Sequence, residues 1–156
     1  NNPFVYDRAL AAFTSQGSYA EALRVSDQRL QRDPLDANSL SDQGNLYVLM
    51  HQFSNAIPAL TRALSLTNRY ATRRSLALAY LRTGQLEAAE AECNTLLKTF
   101  PDVYSTYSGL AEIALQRKDT NTAIHYYERH LAAAQARGDE TRHVTEMLKL
   151  LQPGRR

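Results

Sequence analysis

The sequence has one cysteine, no long apolar run and almost no surplus of charge. A lone thiol at Cys93 excludes an internal disulfide framework and a thiolate zinc site, both of which need several cysteines. No apolar stretch approaches the roughly 18 residues of a membrane-spanning helix, so a soluble chain without direct membrane insertion is expected. Eighteen basic against sixteen acidic side chains leave a formal charge of +2, too little to suggest a nucleic-acid or membrane-surface partner. Fifteen arginines to three lysines read as a compositional bias of the source genome. The chain carries no glycine-rich phosphate loop, nucleophile elbow or paired catalytic carboxylates. It opens on Asn1-Asn2 without a methionine, so a processed form or an excised domain is expected, with any targeting signal outside it.

What is present is repetition. The 156 residues are 44% hydrophobic and 22% charged, enough for one domain with a real core. Ala22, Ala56, Ala89 and Ala123 recur at intervals of 34, 33 and 34 residues, each followed four places on by Ser26, Leu60, Cys93 and Tyr127. Before each alanine stands a turn-like stretch, at Gln16-Gly17-Ser18-Tyr19, His51-Gln52-Phe53, Thr83-Gly84-Gln85-Leu86 and Lys118-Asp119-Thr120. An amphipathic run follows each turn and another helical run precedes it, so every unit is a helix pair. Small residues at Gly44, Ala56, Ala77 and Ala111 mark places where helices cross closely. Pro58, after Ser54-Asn55, is expected in the first turn of its helix, where a missing N–H costs little.

In this register the chain resembles the tetratricopeptide repeat family. Unit two supplies Leu40, Gly44, Tyr47, Phe53, Ala56, Leu60 and Ala63, and unit three Ala77, Tyr80, Gly84, Leu86, Ala89, Cys93 and Pro101. Unit one gives Tyr6, Ala9, Phe13, Gly17, Tyr19, Ala22 and Pro34. Unit four gives Tyr107, Leu110, Ala111, Ala123 and Tyr127, without the turn glycine. The resemblance implies an all-α fold, a right-handed α-solenoid of stacked antiparallel helix pairs. The whole chain is then a single domain, with repeats at about 3–36, 37–69, 70–103 and 104–137. Gly138-Asp139-Glu140-Thr141 reads as a stop followed by an N-cap with acids in the first turn. A capping helix over about 139–151 would then cover the last repeat with Val144, Met147, Leu148 and Leu151, ending at Pro153-Gly154.

The residue types that could carry chemistry have plainer roles. Cys93 takes the slot of Leu60 and Tyr127 and is expected in the core. His125 and His130, five apart on one helix, do not share a face for a metal. Glu140 and His143 have ligand spacing but occur once, where a pair of such motifs would be needed. Glu87, Glu90 and Glu92 form a solvated acidic surface. Neither an enzyme nor a cofactor or metal site is expected.

In the family the first helix of each pair lines a concave groove. That implies Asn38, Ser41, Asn45, Val48 and Leu49 in unit two, then Ala71, Arg74, Leu78, Leu81 and Arg82 in unit three. Unit four offers Ser105, Ser108, Glu112, Leu115 and Gln116, and unit one Phe4, Asp7, Ala11, Thr14 and Ser15. The expected contacts are Asn38, Ser41, Asn45, Leu49, Arg74, Leu78, Arg82, Ser108, Glu112 and Gln116. The relatives that clamp chaperone tails use lysines, asparagines and an arginine, and here only Asn45 matches their set. Of the arginines at the head of the third repeat, Arg69 is linker, Arg73 a packing position beside Tyr70, and Arg74 a candidate contact.

The leading expectation is a noncatalytic scaffold or adaptor that holds a partner peptide or helix in the groove, with no nucleic acid. The alternatives are an assembly element that self-stacks into a homo-oligomer through Phe4, Val5 and Tyr6, and the targeting arm of a larger protein. Bacterial cytoplasm and periplasm fit equally.

Overall fold

The structure is a computed structural model that describes residues 3–152, and among these its regular secondary structure is all α-helix. The helices are α1 (Pro3–Ser15), α2 (Tyr19–Arg32), α3 (Ala37–Leu49), α4 (Phe53–Leu66), α5 (Tyr70–Arg82), α6 (Leu86–Thr99), α7 (Thr106–Gln116), α8 (Thr120–Arg137) and α9 (Arg142–Leu151). Contacts divide the chain into two compact units, Asn1–Gly84 and Gln85–Arg156, so the division falls between the two helices of the third repeat.

The turns that join each pair share one backbone solution. Gly17, His51, Gly84 and Lys118 occupy matching places and all have positive φ, at 73°, 56°, 76° and 63°. A left-handed residue lets the chain reverse within a few positions, and glycine adopts it without strain. The fourth repeat keeps that geometry although it lacks the glycine, with Lys118 bearing the strain instead. Asp36 and Asp119 cap α3 and α8, accepting from the backbone N–H of Asn38 and Thr122. Burial pulls the Asp36 carboxyl upward, but Ser39's hydroxyl and Arg29 outweigh it and hold the group below its ordinary value.

In the first unit α2 packs on α1 and α3, α4 packs on α3 and α5, and α3 touches α5. Ala56, Leu60, Leu76 and Ala79 form its core, with Tyr47, Val48, Phe53, Ile57, Leu64 and Tyr80 packed around them. A Cβ at Gly44 would lie 2.4 Å from Cγ of Leu60, so the α3–α4 crossing admits no side chain there. Ser26, buried in the slot that holds Leu60 in the next repeat, donates to the carbonyl of Ser39 at 2.8 Å and ties α2 to α3. Pro58 is not in the first turn of its helix. Because α4 begins at Phe53, the proline falls in the second turn, and the Ser54 carbonyl loses its donor. Both residues are exposed, so water can reach that carbonyl.

In the second unit α7 packs on α6 and α8, and α9 packs on α8. Ala111, Tyr127, Val144 and Leu148 form a core, with Met147 and Leu151 among the residues packed against it. Gly138, left-handed at φ 73°, closes α8. The helix beyond it starts later than the sequence suggests, at Arg142, so Asp139 and Glu140 precede the first turn. Each acid has a partner there: Asp139 accepts from the Tyr104 hydroxyl, and Glu140 lies 3.9 Å from Arg142. Pro153-Gly154 lie outside the described residues. Among the described residues no helix is long and apolar enough to cross a membrane.

Candidate partner-binding face

Asn38, Ser41, Asn45 and Leu49 run along α3, and Arg74, Leu78 and Arg82 along α5, both in the first unit. Asn38, Arg74 and Arg82 are exposed, Leu49 is 44% exposed, and Asn45 and Leu78 are half-buried. Ser41 departs from expectation. It is 7% exposed and its hydroxyl lies 2.7 Å from that of Thr72, itself buried. The pair is a strut between α3 and α5, and Ser41 is not a contact for a partner. An unpaired hydroxyl at that depth would cost about 1–3 kcal/mol, so the two residues hold the helices in one register.

The aliphatic positions separate similarly. Leu81 is buried and Val48 packs against the core of the first unit, as Leu115 does in the second. Leu49 and Leu78 are the aliphatics left near the surface of α3 and α5. Asp7, on α1, pairs with Arg29, which also reaches Asp36 at 2.8 Å.

Asp42 is a feature that sequence reading passed over. Half-buried on α3, its carboxyl is pushed up to about 6. Burial is the main cause; Asp7 and Asp36 add repulsion, while Arg29 and Arg69 oppose it. Its signal in the sequence would have been an acid flanked by Ser41, Gln43 and Gly44 on a helix with no basic residue.

The arginines at the head of α5 have three different surroundings. Arg69 is exposed at the N-cap position of the helix. Arg73 is half-buried and turns back to Asn68, donating from Nε and NH2 to its Oδ1 at 3.2 and 3.1 Å. Arg74 is exposed and takes part in none of the ion pairs described.

Ser108, Glu112 and Gln116 lie on α7 in the second unit. The Ser108 hydroxyl is 2.7 Å from Nδ1 of His130, whose ring meets Tyr104 edge-on with centroids 4.9 Å apart. Burial and then the neighbouring His143 hold His130 below its ordinary value, so the ring is neutral near pH 7. The pair has nucleophile–base spacing, but no carboxylate is described against the ring to orient it, as acyl-transfer chemistry requires. It reads as a bond between α7 and α8. Glu112 is half-buried and Gln116 exposed.

Cys93 is 4% exposed, and burial followed by Glu92, Glu90 and Glu112 pushes its thiol up to about 12. Such a thiol is not a nucleophile near neutral pH. Arg117 joins Glu90 at 2.7 Å and Glu87 at 3.3 Å, so the acidic surface of α6 is partly neutralised by α7. His125 is exposed whereas His130 is half-buried against Ser108. Among the described residues no cluster of His, Cys, Asp or Glu could hold a metal ion. A depression of about 440 Å³ between α3 and α4 is lined by Leu40, Gln43, Tyr47, Asn55, Pro58, Ala59 and Arg62. It contains none of the expected contacts.

Comparison with known proteins agrees with the geometry. The chain is similar to the crystal structure of MamA, with TM-score 0.76 and 16% identity over 96% of this chain and 90% of that one. It is similar also to MamA 41-end from Desulfovibrio magneticus RS-1, with TM-score 0.77 and 15% identity over 96% and 92%. A chain of the APC/C hetero-tetramer Cut9–Hcn1 gives TM-score 0.81 and 19% identity, covering 94% of this chain but 29% of that one. At these identities the likeness shows the fold, a helical-repeat solenoid. No curated protein matches the sequence. Two family models, each described as tetratricopeptide repeat, match residues 47–113 and 106–141. The chain therefore belongs to the tetratricopeptide repeat family.

Proposed function

We propose that this chain is a noncatalytic scaffold or adaptor that holds an extended partner segment along α3 and α5. Asn38, Asn45, Leu49, Arg74, Leu78 and Arg82 would make the contacts. The observation that carries this reading is the stripe of exposed and half-buried polar and aliphatic side chains on two helices fixed together by the buried Ser41–Thr72 pair. A surface held in one register loses little entropy on binding. The amides of Asn38 and Asn45 can donate to and accept from a peptide backbone, whatever its sequence. The Cut9–Hcn1 assembly, a hetero-tetramer, lends support, since a chain of this fold takes part in it. Neither nucleic acid nor a cofactor is part of this proposal.

A peptide array probed with the full chain tests it. Peptides that bind should lose at least about five-fold in affinity with Asn45→Ala and with Leu49→Asp, roughly 1 kcal/mol. Binding indifferent to both substitutions would sink the groove reading.

A second reading is favoured by one observation: Phe4 and Val5 on α1 are 65% and 62% exposed. They could stack on another copy. Light scattering decides, because a strict monomer at high concentration contradicts self-assembly. The expectation of one domain of four repeats is likewise a proposal. A single urea transition supports it, and two transitions with separate midpoints contradict it.

A further inference from the structure

We propose that the partner segment held on the first unit carries a basic side chain, arginine or lysine, and that Asp42 on α3 is the residue that receives it. This rests on the groove reading above and specifies its ligand. Asn38, Asp42, Asn45 and Leu49 follow one another at intervals of four, three and four, which places them on one stripe of α3. Asp42 thus stands between the two asparagines assigned to the partner. It is half-buried, and its carboxylate takes part in none of the ion pairs or side-chain hydrogen bonds formed among the described residues. It is also the one acid on α3 or α5, because residues 43–86 contain no aspartate or glutamate.

The surrounding charges leave Asp42 in need of a cation. Arg29 on α2 gives one guanidinium nitrogen to Asp7 and the other, at 2.8 Å, to Asp36, so its fork is already occupied. Asp7 on α1 and Asp36 at the N-cap of α3 repel the Asp42 carboxylate, while Arg29 and, least of all, Arg69 at the head of α5 attract it. Farther along α5, Arg73 is turned onto Asn68. The one charged residue of α4, Arg62, lines the depression instead. A partly desolvated carboxylate without a donor is relieved by a proton or by a cation that brings donors with it. A basic side chain of the partner does the latter, and a guanidinium can bond both carboxylate oxygens at once. A nucleic acid would set its phosphates against this acid, so the charge disfavours it. The pairing carries a pH signature, because the incoming cation needs the carboxylate and the free carboxyl titrates near 6. Below that pH a proton must leave before the pair forms, so affinity is full above about pH 7 and falls as pH drops through 6.

The test selects phage-displayed random peptides of about twelve residues against the full chain near pH 7.5. The best histidine-free sequence is then synthesised with blocked termini and measured by calorimetry. It should contain arginine or lysine, and replacing that residue by glutamine should weaken binding at least about five-fold. Asp42→Asn should cost the basic peptide a similar factor and leave the glutamine peptide unaffected, since the two changes remove the same pair. Between about pH 7.5 and pH 5 the affinity of the parent for the basic peptide should fall roughly five- to ten-fold, while that of Asp42→Asn stays level. Circular dichroism confirms that the variant is folded. Selected peptides without a basic residue, or a basic peptide indifferent to Asp42→Asn at both pH values, overturn the proposal. If Asn45→Ala still weakens such peptides, the groove reading survives that failure. A selection that yields no binder overturns the proposal as well, and the groove reading is then judged separately by the peptide array.

Discussion

Single positions carry much of the information in this molecule. The left-handed turn residues offer a clean contrast, because an added side chain at Gly84 would meet nothing within 4 Å. Backbone strain alone then decides the outcome. Lys118→Gly should stabilise by about 0.5–1 kcal/mol, and Gly84→Ala should cost about 1–2 kcal/mol, both measured by urea denaturation. Gly44→Ala is different in kind, since its methyl would collide with Leu60, and a loss of about 1–3 kcal/mol is expected. Asp42 makes a prediction in pH. Its carboxyl titrates near 6 in the folded chain against 3.8 for the ordinary group, so the folded state holds a proton that the unfolded chain releases. The penalty is therefore full above about pH 6 and fades as pH falls toward 4. Asp42→Asn should be more stable than the parent at pH 7 by about 1–3 kcal/mol, and the difference should close near pH 4. A difference that widens with acid would contradict the burial described for this group.

Helices were more legible in the sequence than the details at their ends. The recurrence of Ala22, Ala56, Ala89 and Ala123 marks the second helix of every pair, and each of these residues is fully buried. The start of α9 is not legible because Asp139 and Glu140 look like first-turn acids, whereas both precede the helix and engage Tyr104 and Arg142. Ser54-Asn55 has the composition of a cap, but Gln52 takes the N-cap position, which puts Pro58 one turn further into the helix than its sequence context suggests. The expected face suffered a comparable error at Ser41, since a family register assigns positions and cannot see that Thr72 takes the hydroxyl. The amphipathic C-terminal helix was legible, and its two faces yield a prediction. Leu148, 9% exposed in the core with Tyr127, should cost about 2–3 kcal/mol as Leu148→Ala, while Leu150→Ala, at a site 74% exposed, should be nearly neutral. Arg73→Glu should cost about 1 kcal/mol of stability by losing Asn68, and Arg74→Glu should leave the melting temperature unchanged while impairing binding.

For the chain taken together, family membership and fold rest on helix pairs in a common register, and function rests on what α3 and α5 present. Net charge was a poor guide because +2 conceals a long acid-free stretch. Salt should therefore weaken partner binding while leaving folding largely unaffected, a contrast that parallel titrations of anisotropy and urea midpoint would reveal. The central claim is that a partner lies along α3 and α5, and methyl NMR of the full chain tests it most directly. Titrating the best array peptide should shift the methyl signals of Leu49 and Leu78 and leave those of the exposed Leu35, Leu66 and Leu150 unmoved. Shifts confined to the latter three, with Leu49 and Leu78 unchanged at saturation, would contradict it.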